Sequence, residues 1–295
     1  MLSVSLKRYA LVGKIVDTFV ESAMHLDGLD AYERGYNIAL TNMLFYTLPP
    51  ICGKEFTDDL LVRFQRFMRE PTRRTYKECY EKLFGFQFPD DWIKVLGPLQ
   101  ASLARLGPDG AIYHARGSLE YAWACAYILV GQFSSKSSEP FRVIHDASTS
   151  MSDRRFHWNA MMRPDVRPAT VGYDRRKYTL PFKVSETIIG RSHEWAGLQL
   201  ADVLAGAVNM VYRSQNCGRP LSAFEEKVAC AIEQLYVLPL LPEPKFTPEE
   251  LETTSENGED LLEYMSESYG GYAEQLLREV DTRASLPPTE GHDLQ

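Results

Sequence analysis

Apolar residues recur at helical spacing through most of this chain, and only two short runs read as strands. The first 48 residues read as helical segments, interrupted by the turn residues LDGLDAYERG at 26–35, and TLPPICG at 47–53 predicts a break. Beyond it Leu60, Leu61, Phe64, Phe67 and Met68 share one helical face. Thr57 is the expected N-cap, Asp58 and Asp59 fill the first turn, and Pro71 ends the helix. A second helix is expected over 73–84, then a Pro/Gly-punctuated connection over 85–99. A helix over 118–130 and a polar spacer lead to FRVIHDAS at 141–148, whose branched residues predict a short buried strand. YTLPFKVSET at 178–187 is the second strand candidate, pushed toward a sheet edge by Pro181. Helices follow over about 194–212 and 223–236, so a mixed α/β domain with heavy helical decoration is expected.

The stretch SHEWAGLQLADVLAGAV at 192–208 is nearly all small or apolar, yet it carries Asp202. A buried charge there requires a partner. Gln199, Asp202, Gly206, Asn209 and Arg213 step by three and four and share one helical face. Leu200, Val203, Leu204, Ala207, Val208 and Val211 form an apolar stripe that reads as core-facing. The strand at 141–148 ends at Asp146, a place where α/β folds hold ligands, although a single strand-end aspartate more often forms an Asx turn.

Charge alters the picture more than composition does. From position 242 onward there are 14 Asp/Glu against 3 Lys/Arg, a net of -11, which leaves residues 1–241 with 26 against 29, a net of +3. The chain therefore divides into a mildly basic body, 1–241, and an acidic tail, 242–295, so the overall net of -8 does not exclude a nucleic-acid partner. The tail also carries Leu261, Leu262, Met265, Leu276, Leu277 and Val280, a set able to dock as one or two helices. Between 153 and 177, Arg154, Arg155, Arg163, Arg167, Arg175, Arg176 and Lys177 are interleaved with Phe156, His157, Trp158 and Tyr173. Cations beside flat rings suit phosphate contacts with base stacking, and Arg154, Arg155, Arg175, Arg176 and Lys177 are the candidates. A second basic group is Arg63, Arg66, Arg69, Arg73, Arg74 and Lys77.

Five scattered cysteines without a C-x-x-C pair argue against a disulfide framework or a zinc site. The absence of a signal-peptide pattern at the N-terminus, and of any apolar run long enough for a bilayer, leads to the expectation of a cytoplasmic protein without a membrane partner. Phosphate-cradling glycine loops, H-E-x-x-H and G-x-S-x-G are all missing.

FRVIHDASTSM, a variable basic stretch and the 192–208 helix together resemble the domain-of-unknown-function family 3800, whose fold is held to be RNase H-like. Gln199-Leu200-Ala201-Asp202, preceded by Ser192, matches that family's helix motif, and Asp146 matches its strand-end aspartate. The resemblance implies an RNase H-like mixed sheet and a nuclease in which Asp146 and Asp202 ligate Mg²⁺ or Mn²⁺ and Gln199 assists. It also implies a first strand bearing an Asp-Glu pair, whereas this chain has no carboxylate before Asp17. Two-metal phosphodiester chemistry uses about three or four carboxylates, so the expected site is incomplete. The alternative is a catalytically degenerate module that binds nucleic acid or a partner protein, or that covers an open sheet edge with a second copy of itself.

Overall fold

The computed structural model describes residues 2–85, 93–115, 121–147, 155–172, 177–235, 237–251 and 258. The described protein is mostly helical, with strands arranged as two parallel pairs and one antiparallel pair. A helical body comes first. α1 (Lys7–Ile15) passes through a π-helical stretch, Val16–Glu21, into α2 (Ser22–Leu26), and α3 (Tyr36–Cys52), α4 (Lys54–Arg69), α5 (Arg73–Phe84) and α6 (Ile93–Ala115) pack around it. The spacing that predicts α4 also buries it: Leu60, Leu61, Phe64, Phe67 and Met68 all lie in the main core. Phe19 of the π-helical stretch meets Phe64 edge to face, with ring centroids 5.3 Å apart.

Several expected boundaries move. α3 runs through Pro49 and Pro50 and stops only at Gly53, whose φ of 84° is left-handed territory that a glycine enters without steric cost. Thr57 is therefore no cap. It sits inside α4, buried, donating its hydroxyl to the Gly53 carbonyl at 2.8 Å. The connection expected over 85–99 holds the start of α6, while 86–92 lie outside the described residues. Leu96, Leu99, Leu103 and Leu106 are buried at helical spacing, enough apolar contact to carry the helix past Pro98, and its dihedrals break only at Gly107. Similarly α7 (Tyr121–Lys136) consumes most of the expected polar spacer.

A second layer surrounds α7. β2 (Phe141–Asp146) pairs in parallel with β5 (Val184–Gly190), and β3 (Ala169–Val171) pairs antiparallel with β4 (Tyr178–Leu180). α8 (Arg155–Ala160) joins them, and Trp123, Trp158, Tyr178, Leu180 and Phe182 form their shared core. The single strand expected over 178–187 is thus two, separated by Pro181, and β2 is half-exposed rather than buried. The expectation of an all-helical first 48 residues also fails, because β1 (Leu2–Ser5) pairs in parallel with β6 (Val237–Leu240). α9 (Ala196–Asn216) and α10 (Ala223–Glu233) lie beside that pair, where Val208, Val211 and Ile232 bury together against Val4.

The acidic segment begins as part of the body. Asn42 of α3 donates to the Lys245 carbonyl at 2.9 Å and accepts from the Glu243 amide at 3.2 Å. Leu251, at the end of α11 (Pro248–Leu251), is buried against Ile38 and Ala39. The tail residues named above from Leu261 to Val280 lie outside the described residues. Among the described residues no helix is long and apolar enough to cross a membrane.

Candidate functional site

α9 is placed by its own N-terminal neighbours. A Cβ added at Gly190 would stand 2.8 Å from Trp195 Cδ1 and 3.1 Å from Leu198 Cδ1, so both side chains lie directly on the last residue of β5. Only a glycine permits that approach. Gly190 is the register partner of Asp146, and the Ala147 amide donates to its carbonyl at 3.2 Å. The first turn of α9 and the Asp146 end of β2 are thereby brought to one end of the parallel pair.

The side chains expected to bind metal do not follow. Asp146 is exposed, and its Oδ1 accepts from the next amide, Ala147, at 3.0 Å, which is the local turn considered as the alternative. Gln199 and Asp202 are both exposed on the outer half of α9, and Asp202 makes no hydrogen bond or ion pair among the described residues. The premise of a buried charge therefore falls. The helix is apolar there, but Leu200 and Val203 are themselves 68% and 69% exposed, so Asp202 suffers no desolvation and requires no counter-ion. Among the described residues no three His, Cys, Asp or Glu side chains are grouped to hold a metal. Mg²⁺ and Mn²⁺ require several hard oxygen donors in a defined shell, and this donor set does not fit them.

The basic candidates separate as well. Arg154, Arg175 and Arg176 lie outside the described residues. Arg155 is exposed at the start of α8, and Lys177 precedes β4, its carbonyl accepting from Gln132 at 2.7 Å. In the second basic group, Arg63 pairs with Asp59, Arg66 with Glu78, Arg73 with Asp109 and Lys77 with Glu81, which makes most of it an internally neutralised surface. Asp59, held also by Lys82, keeps its carboxyl below the usual range.

What α9 does build is a groove of about 560 Å³ between its C-terminal half and β1. Ser3, Ser5 and Lys7 line one wall, and Asn209, Tyr212, Arg213 and Asn216 line the other. Among the described residues no carboxylate lines it, and neither Lys7 nor Arg213 is ion-paired. Asn209 and Arg213 belong to the polar helix face legible in sequence. Lys7, Ser3 and Ser5 were missed because the N-terminus read as helix; the alternation Leu2-Ser3-Val4-Ser5 is the signal that identifies a strand there.

The groove wall is locked from behind by α10. Ser222 caps that helix through a capping box with Glu225, and the buried Glu225 carboxylate accepts from Arg219 at 2.9 Å and from the Ser222 amide at 2.7 Å. It also accepts from the Ser214 hydroxyl, on the turn of α9 that follows Arg213. These donors, the Ser214 hydroxyl foremost, lower the Glu225 pKa from 4.5 to about 2. A carboxylate whose pKa falls on folding stabilises the fold above its unfolded value, and that contribution disappears as pH drops through the folded value. Glu225→Gln is therefore expected to melt at a lower temperature than the parent at pH 6. The gap should close between pH 4.5 and 2, as read by thermal melts across that range.

Compared with models of protein families, with curated proteins and with solved structures, the chain matches none. The described residues define a mixed α/β protein with a groove, carrying Lys7 and Arg213 on its walls, beside one long helix.

Proposed function

We propose that this chain is a catalytically degenerate RNase H-like module that binds nucleic acid, with phosphates seated in the groove between β1 and α9. One observation carries the reading: a groove of about 560 Å³ whose otherwise largely apolar lining includes two cations, two serines, two asparagines and a tyrosine, with no carboxylate and no ion pair to those cations among the described residues. Lys7 and Arg213 supply charge for phosphate oxygens, Ser3 and Ser5 supply hydroxyl donors, and Tyr212 supplies a ring on which a base can stack. Asn209 and Asn216 offer both donors and acceptors, as base edges require. A groove of this size holds one or two nucleotides of an unpaired strand rather than a duplex.

The family resemblance supports the RNase H-like part of the reading. β1 stands at the N-terminus, where that family places its acidic strand, but carries Ser3 and Ser5. The nuclease reading draws less support, because Asp146 and Asp202 are solvent-exposed and do not make a donor set for a divalent ion. The test is whether a labelled single-stranded oligonucleotide binds in EDTA, more weakly as salt rises, and stays intact when Mg²⁺ or Mn²⁺ is added.

A further inference from the structure

The apolar stripe of α9 is continuous, but only half of it is covered. Val208 and Val211 are buried against Ile232 of α10. One and two turns toward the N-terminus on the same stripe, Leu204 and Leu200 are 40% and 68% exposed, and Val203 beside them is 69% exposed. Ile189, near the end of β5, is 48% exposed. The uncovered stretch, 196–206, is roughly 16 Å long at 1.5 Å per residue, the footprint of a single helix. A strip of that length and about 10 Å wide covers on the order of 160 Å², well short of the roughly 800 Å² per partner that a stable dimer buries.

We infer that this surface is covered by the chain's own acidic C-terminal segment, 259–295. Length permits it: the last described residue, Gly258, donates its amide to the Gly172 carbonyl at 2.8 Å, and 37 residues follow. At about 3.3 Å per extended residue such a segment spans more than 100 Å, and its tether keeps its local concentration high. Pattern permits it too. Leu261, Leu262 and Met265, and again Leu276, Leu277 and Val280, repeat the i, i+1, i+4 spacing of a narrow apolar face. Charge favours this occupant over a second copy of the helix. Within 259–295 acids outnumber bases 9 to 2, while the groove that continues from the uncovered half of α9 presents Lys7 and Arg213, neither ion-paired among the described residues. Docking there brings acidic residues beside those cations and competes with a bound phosphate; this competition rests on the proposed function, whereas the docking does not.

Hydrogen exchange on the full chain, read by mass spectrometry, tests it. In the wild type the amides of 196–206 should be protected, and Leu276→Glu/Leu277→Glu should speed their exchange at least tenfold. Leu200→Glu/Leu204→Glu, at exposed positions that leave the core intact, should likewise deprotect 261–280. The tail variant should bind a single-stranded oligonucleotide several-fold more tightly than the wild type. Unchanged exchange over 196–206 in the tail variant overturns the docking. Protection that survives the tail variant and grows with protein concentration also overturns it, by assigning the surface to a second copy. An exchange response with no oligonucleotide binding by any form leaves the docking standing and removes the proposed function alone.

Discussion

Phe64→Ala is expected to lower the free energy of unfolding by about 3–5 kcal/mol. Phe64 is 1% exposed, and its ring sits edge to face against Phe19 at the point where α4 crosses the π-helical stretch. Truncation leaves a cavity lined by residues from separate helices, which cannot close over it without shifting their axes. Domains of ordinary stability hold about 5–15 kcal/mol, so roughly a fifth or more of the margin disappears. The loss reaches the groove, because Lys7 opens α1, the helix that leads directly into that core. Val62→Ala on the same helix, at a position 62% exposed, should change stability by less than about 0.5 kcal/mol. Urea denaturation of both variants checks the pair; equal midpoints would contradict the packing described here.

Lys7→Glu combined with Arg213→Glu is expected to weaken oligonucleotide binding about 100-fold, near tenfold for each reversed charge, or about 1.4 kcal/mol apiece. The two residues lie on opposite walls of the groove and have no ion-pair partner among the described residues, so reversal removes attraction without freeing a buried acid. Losing two phosphate contacts should also flatten the dependence of log affinity on log salt by about 1.4, at roughly 0.7 per contact on a single strand. Arg66→Glu and Arg73→Glu serve as the control, because those cations already pair with Glu78 and Asp109. They should leave affinity within about twofold. Anisotropy titrations at several salt concentrations read both quantities, and an equal loss from either pair of reversals would reduce the groove to general surface charge.

Local periodicity made part of this fold legible. α5 spans the 73–84 expected from sequence, and the five apolar residues assigned to the buried face of α4 are all in the core. Both depend on residues three and four apart, which sequence displays directly. β1 was illegible for the opposite reason: four residues reveal little alternation, and the partner strand begins at Val237, near the other end of the chain. Pro49, Pro50 and Pro98 read as breaks because their local cost is plain in sequence, while the leucines that outweigh it count only once buried. The candidate site was half legible. The polar face of α9 shows in sequence as a stripe stepping by three and four, and its lower members, Asn209 and Arg213, line a groove. Its upper members, Gln199 and Asp202, point to no site, because an apolar stripe announces that something covers it without saying where the cover ends. The same limit applies to Asp146: a strand-end carboxylate has one spelling, whether it holds a ligand or its own neighbouring amide.

Binding without turnover is decided by one titration. A labelled single-stranded oligonucleotide is titrated with the full chain in EDTA and again in Mg²⁺, and the strand is then examined for cleavage. The same salt-sensitive affinity is expected in both buffers, with an intact strand and Asp202→Asn indistinguishable from the parent. Cleavage that requires Mg²⁺ and disappears in Asp202→Asn would contradict it, as would affinity indifferent to salt.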